Sequence, residues 1–474
     1  MRSGGLNPAG QAWRRNRPVW RDHFAGGLGR SRRDVGALGA SLRLSWVLAA
    51  LPILDVMLAQ VQARWDVQIG PVSLAQAYHG TMLAGLAAIL AGRLRRFPPS
   101  QRFLLVAAAG FAASVAVSLA FRLLGGPLPL EDLVAGLQVA YWLVLWPTVL
   151  VVCRSDADCR RVLAGVALAG VYAALSVIYF YVVGGQAASP YPDIAASAGG
   201  LHTAKGLGGI LITGCVCAAW LSGRRFKLLG SLAVVVCLAG LFLTYQRAGL
   251  VAMLLALAWL AVWYLVGGRS RPDADWAGRL LVVAGVALVA ILAVIGTSDL
   301  QKRWQDLPDL DKAGSARIAF WRVALEHYGA LSPAEKVFGI GYAALAEAMA
   351  NLYGSRIHTH SDVLDVLVMF GLLGLGFWLG VQVAALRMIW RCRSAGPLFA
   401  ASLAVYLVML SEGVLTGQIL APHVMGVYLM SLACWYQLAG PHGGLSPAGP
   451  PRPGCRTPMY IGAPGESGQG GGRT

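Results

Sequence analysis

The run Leu133-Val-Ala-Gly-Leu-Gln-Val-Ala-Tyr-Trp-Leu-Val-Leu-Trp-Pro-Thr-Val-Leu-Val-Val152 decides the fold class. It has the ~20 residues that a helix needs to cross the hydrocarbon of a bilayer. No Asp, Glu, Lys or Arg interrupts it. The connection before it, Gly125–Asp132, contains no lysine or arginine, whereas Arg154, Arg160 and Arg161 follow directly after it. An apolar span with arginines at one end is read as a membrane helix whose arginine end faces the cytoplasm.

The same alternation extends outward in both directions. Twelve apolar runs are read as spans, at about 42–60, 72–91, 103–124, 133–152, 161–184, 206–222, 226–243, 248–266, 279–297, 363–388, 397–413 and 420–439. Arginines and lysines collect in alternate connections: Arg93, Arg95, Arg96 and Arg102; Arg224, Arg225 and Lys227; Arg269, Arg271 and Arg279; Arg387, Arg391 and Arg393. These are assigned to the cytoplasm, with both termini. The expected fold is therefore an all-α polytopic membrane protein of about twelve transmembrane helices. A long periplasmic loop, 298–362, forms a subdomain between helices nine and ten, and amphipathic stretches at Arg317–Tyr328 and Ala343–Tyr353 predict helices within it.

Composition agrees with this reading. Hydrophobic residues make up 57% of the 474-residue chain and charged residues 13%, with a mean hydropathy of +0.61. The net charge of +17 lies in short clusters between spans, so topology accounts for it and no nucleic-acid partner is expected. Three parts are delimited: a disordered basic cytoplasmic tail (1–40), a transmembrane domain (41–440) and a disordered Gly/Pro-rich cytoplasmic tail (441–474). The eight cysteines show no metal-type pairing and are read as apolar or cytosolic thiols. Asp55, inside the first run, is expected to be satisfied by a neighbouring helix.

A few polar residues fall on the outer side, where the charge rule does not explain them. Arg247 follows a very tight turn, Thr244-Tyr-Gln-Arg247. Arg317 opens a predicted loop helix, with Trp321 one turn on. A guanidinium offers a planar fork of donors suited to phosphate oxygens. His202 and Lys205 precede the sixth run. His358 and His360, in Arg356-Ile-His-Thr-His-Ser-Asp362, stand at the mouth of the tenth. A neutral imidazole, with a pKa of about 6.5, can take a proton from a hydroxyl. The spacing His358-x-His360-x-Asp362 also permits a metal chelate, an alternative left open here. Ionisable groups at a membrane edge mark places where something polar is handled.

These residues, in this order, resemble the O-antigen ligase and O-antigen polymerase superfamily of bacterial envelope polysaccharide transferases. The resemblance rests on Arg247, on Arg317 with Trp321, on Gly339-Ile-Gly341-Tyr342, on His360-Ser361 with Leu364, and on Gly371-Leu-Leu-Gly374, and spans about 230–390. Ser361 stands where the family usually has Asn, and Met369 where an acidic residue is common. The resemblance implies an inverting, metal-independent glycosyltransferase in the bacterial inner membrane, with its site on the periplasmic face and no cofactor. The donor it implies is an undecaprenyl-diphosphate-linked glycan; the acceptor is lipid A-core or another glycan, and membrane lipids are the remaining partners. Arg247 and Arg317 would bind the donor diphosphate, and His360 would be the catalytic base. His202, Lys205 and His358 are secondary candidates. A ligase is the leading expectation, with an O-antigen or exopolysaccharide polymerase as the alternative. From a different class, a polysaccharide or lipid transporter or flippase would instead place charges along the middle of several spans.

Overall fold

The computed structural model describes residues 32–65, 67–97, 101–183, 206–222, 226–244, 246–268, 274–294, 317–353 and 358–440. The described chain is almost entirely helical: α1 (Arg32–Trp65), α2 (Leu74–Arg93), α3 (Arg102–Gly125), α4 (Leu130–Val152), α5 (Asp156–Val182), α6 (Leu207–Ser222), α7 (Lys227–Leu243), α8 (Arg247–Trp263), α9 (Asp275–Val294), α10 (Arg317–Ala330), α11 (Pro333–Phe338), α12 (Gly341–Tyr353), α13 (Asp362–Arg391), α14 (Pro397–Thr416) and α15 (Pro422–Ala439). A two-residue hairpin, β1 (Gln68–Ile69) with β2 (Val72–Ser73), joins α1 to α2.

Each of the twelve apolar runs coincides with a helix. Among the described residues, eight helices are long and apolar enough to cross a membrane: those of α1, α2, α3, α4, α5, α8, α13 and α14. Two others, α6 and α7, are apolar but shorter. The helix α1 begins at Arg32, within the segment read as a tail, because Ala, Leu and Arg favour continued helix. The remainder of that tail, residues 1–31, and the tail 441–474 lie outside the described residues, as do 298–316 of the long loop. Within 317–353 the expected helical material is present as α10, α11 and α12. Ser332 starts α11 with a reciprocal cap, its hydroxyl accepting from Glu335 N while Glu335 accepts from Ser332 N. That bonding holds the Glu335 carboxyl below the usual range.

Helices α4, α5, α6 and α15 form the centre, where Trp142, Trp146, Trp435, Tyr141 and Tyr428 are fully buried. Small residues allow the close approach; Gly170 of α5 and Gly214 of α6 sit backbone to backbone. Exposed Leu, Val and Trp side chains cover the rim, as lipid contact requires. Asp55 is satisfied as expected: it accepts from the Tyr141 hydroxyl on α4 at 3.1 Å, and His79 on α2 stands 3.7 Å away. The seven described cysteines are buried free thiols.

The glycines at 339 and 371 belong to one interlock. Gly371 breaks α13 with φ +69°, and Gly339 ends α11 with φ +81°. A Cβ on either would collide with the backbone of the other segment. Where α13 is broken, Ile340 N donates to the Val368 carbonyl at 3.0 Å and the Ser118 hydroxyl donates to the Met369 carbonyl at 3.1 Å. Backbone groups freed inside an apolar bundle need such outside partners. The segment α10–α12 is thereby fastened to the bundle at a fixed register.

Candidate active site

The short stretch before α13 is shaped by one carboxylate. Asp365, fully buried one turn into the helix, accepts from Thr359 N and Thr359 Oγ1, both at 2.8 Å, through Oδ1. Its Oδ2 stands 2.8 Å from His358 Nδ1. Nδ1 also lies 3.3 Å from the His360 amide, so the ring is held in place from two sides. The chain then turns through His360, which has φ +59° and is the one non-glycine residue with positive φ among those described. Such a conformation is uncommon outside glycine and concentrates at functional sites. It brings the His360 ring to 4.6 Å from the His358 ring, edge-on, and to 5.6 Å from Phe320.

Phe320 lies one turn after Arg317 on α10, so the helix that Arg317 opens rests on His360. Arg317 is also within electrostatic range of Glu412. Glu412 is fully buried near the end of α14, where its Oε2 accepts from Thr416 Oγ1 at 2.9 Å. Its other oxygen faces α6: a Cβ on Gly208 would lie 2.8 Å from Glu412 Oε1 and 2.9 Å from Gln246 Oε1. Gln246 accepts from Gly208 N at 3.1 Å, and Arg247 is the next residue, first in α8. Arg317, Glu412, Gln246, His360 and His358 thus surround one end of the bundle, with Arg247 adjoining through its neighbour.

The turn after α14 closes the group. Gly417, with φ +66°, packs so tightly that a Cβ would lie 2.9 Å from His358 Cε1 and 3.0 Å from Asp365 Oδ2. Asp362 Oδ1 accepts from the amides of Gln418 and Ile419, the latter at 2.7 Å. Trp142 of α4 holds the same turn by donating to the Ile419 carbonyl at 3.0 Å. Asp362 is therefore engaged with the 418–419 backbone, and no group of three His, Cys, Asp or Glu residues placed to hold a metal occurs among the described residues. His202 and Lys205 lie outside the described residues. Gly206, just after them, abuts Gln418.

Sequence reasoning missed Glu412, Asp365 and Gln418. Glu412 falls near the end of the eleventh apolar run, 397–413, where a lone acid is itself a signal. Asp365 was legible only as one acid beside the histidines. What links it to His358 is the turn at 359–361, which no spacing rule specifies.

Residues 232–379, about a third of the chain, match the family described as O-antigen ligase. The matched segment includes Arg247, Arg317, His358 and His360, and it falls within the stretch that carried the resemblance. No curated protein matches the chain. The match supports an integral membrane protein that transfers glycans, of ligase or polymerase type.

Proposed function

We propose that this chain is a metal-independent, inverting glycosyltransferase that moves a glycan from an undecaprenyl-diphosphate carrier to a sugar hydroxyl of lipid A-core. Its site opens at the periplasmic face of the inner membrane, at the ends of α6, α8 and α14. The observation that carries this reading is the seating of the Arg317 helix on His360, within a segment similar to O-antigen ligases.

In this reading Arg317 and Arg247 hold the two phosphates, and Glu412 aligns the Arg317 fork by charge. His360 takes the proton of the acceptor hydroxyl. The oxygen attacks the anomeric carbon from the face opposite the diphosphate, so configuration inverts. The bond from that carbon to the diphosphate oxygen breaks, and the lipid diphosphate departs with the electron pair. The two guanidiniums stabilise the charge gathering on it. The proton stays on the imidazole until the next exchange with solvent. A second reading makes His358 the base. The observation favouring it is Asp365, which orients His358 and would stabilise its protonated form.

Replacing each histidine separately decides between them, with transfer followed in the reconstituted full chain. Transfer lost in His360→Ala and largely kept in His358→Ala supports the first assignment, and the reverse supports the second. Ligase and polymerase separate in a deletion strain. Bare core with long carrier-linked chains indicates a missing ligase, and single repeats on the core a missing polymerase. Metal independence is tested by chelation, which should leave transfer intact.

A further inference from the structure

Beside His358 lies a cavity of ≈ 1080 Å³ that neither arginine lines. It is bounded by α1, α2, α4, α12 and the 417–423 turn. Its volume reaches the upper end for small-molecule pockets, with room for more than one sugar ring. Two glutamates, five glutamines and three histidines line it, with no lysine or arginine among the described residues.

Two residues of this lining are buried and carry a polar atom without a hydrogen-bond partner. His79 is 5% exposed and its Nδ1 has no hydrogen-bond partner; Asp55 stands 3.7 Å from its other nitrogen. Gln418 is fully buried, and its Oε1 has no hydrogen-bond partner. His358 is shared: it lines the cavity and its ring meets that of His360.

We infer that this cavity binds the acceptor sugar, and that it selects an uncharged or amine-bearing sugar over a phosphorylated one. The inference rests on the glycan-transfer reading above and names the acceptor class for that site. The glutamines supply paired donors and acceptors that match vicinal hydroxyls. Glu131 and Glu347 attract an amine and repel phosphate. The acceptor hydroxyl then reaches the histidine pair from one side while the diphosphate arrives from the other. Donor diphosphate and acceptor sugar then never share a binding surface.

The test is direct binding to the full chain in lipid nanodiscs, which needs no turnover. The probes are a neutral hexose trisaccharide, the same trisaccharide with one amine-bearing residue, and its 6-phosphate. Ala75→Trp narrows the cavity at a partly exposed lining position. The pair Glu131→Gln with Glu347→Gln removes charge with little change in shape, which keeps the test open if the tryptophan variant fails to fold.

The neutral and amine-bearing sugars are expected to bind Ala75→Trp about tenfold more weakly than wild type, with donor-lipid affinity held within about twofold. The glutamate pair should lose about tenfold for the amine-bearing sugar alone and gain binding of the 6-phosphate. Undiminished sugar binding in both variants overturns the inference. So does preferential binding of the 6-phosphate to wild type, or a loss of donor affinity that parallels the loss of sugar. Failure of the glycan-transfer reading looks different: the wild-type chain in the same nanodiscs would transfer no glycan while the sugar-binding pattern stood.

Discussion

The two sides of the histidine pair differ in charge and in origin. On the side of α8 and α10, the Arg317 guanidinium lies within electrostatic range of the buried Glu412, and both arginines come from the segment similar to O-antigen ligases. The opposite side is a cavity of amides and carboxylates, contributed largely by α1, α2 and α4, outside that segment. In the reading proposed above, a single catalytic element would serve two binding surfaces of opposite preference. The cationic side carries the arginines that lie within the matched segment. The other side is built from residue types common on any protein and leaves no comparable signature.

The comparison can be broken at its centre. His360→Ala should lower glycan transfer by about a thousandfold, as loss of a general base does, while donor binding and membrane insertion stay normal. Transfer that persists in reconstituted enzyme would remove the shared base.

Next come the arginines. Arg317→Ala should cost roughly a hundredfold in turnover, in line with loss of one donor to a developing anion. Its effect should fall on donor kinetics and spare the acceptor KM, the opposite of changes in the cavity. Arg247→Ala is expected to behave likewise. Arg317→Lys should recover only part, because a point charge replaces a fork. Equal effects on both substrates would erase the distinction between the two sides.

Smaller again is Asp365→Asn, expected to slow transfer about tenfold through loss of the group that orients His358. The His358→Ala change made on top of it should add little, since both act through one contact. Full additivity, measured by a double-mutant cycle, would show that the His358–Asp365 contact has no part in the reaction.

The smallest effect on rate, and the largest on stability, is expected at the interlock. Gly371→Ala imposes a left-handed backbone on a residue with a Cβ, a cost of about 1–3 kcal/mol before any collision. Lower thermal stability with near-normal activity in the surviving fraction is the expected outcome in detergent. Unchanged melting would mean that the backbone can relax at this point.

Much of the fold was legible because a bilayer imposes a length and a charge rule on each helix. Eight of the helices at the apolar runs are long and apolar enough to meet that constraint, and the two stretches expected to be helical within the long loop are α10 and α12. Arg317 and His360 were legible because each is polar where topology gives no reason for polarity. The cavity was not. Gln138 in α4 and His79 in α2 sit inside apolar runs as isolated polar residues, and such residues usually satisfy a neighbouring helix, as Asp55 does. Only packing shows which of them face an open space. The left-handed turn at His360 was equally hidden, since glycine is the residue whose presence advertises that conformation.

The interlock at Gly371 bears on how the chain reaches its final form. The carbonyls of Val368 and Met369 find their partners in Ile340 and Ser118, so this span cannot finish assembling by itself. Until the outer segment and α3 have both arrived, bare peptide oxygens remain in surroundings that offer them nothing. Excising 331–340 should accordingly do more than silence the protein. It should leave a chain that the cell clears before it accumulates.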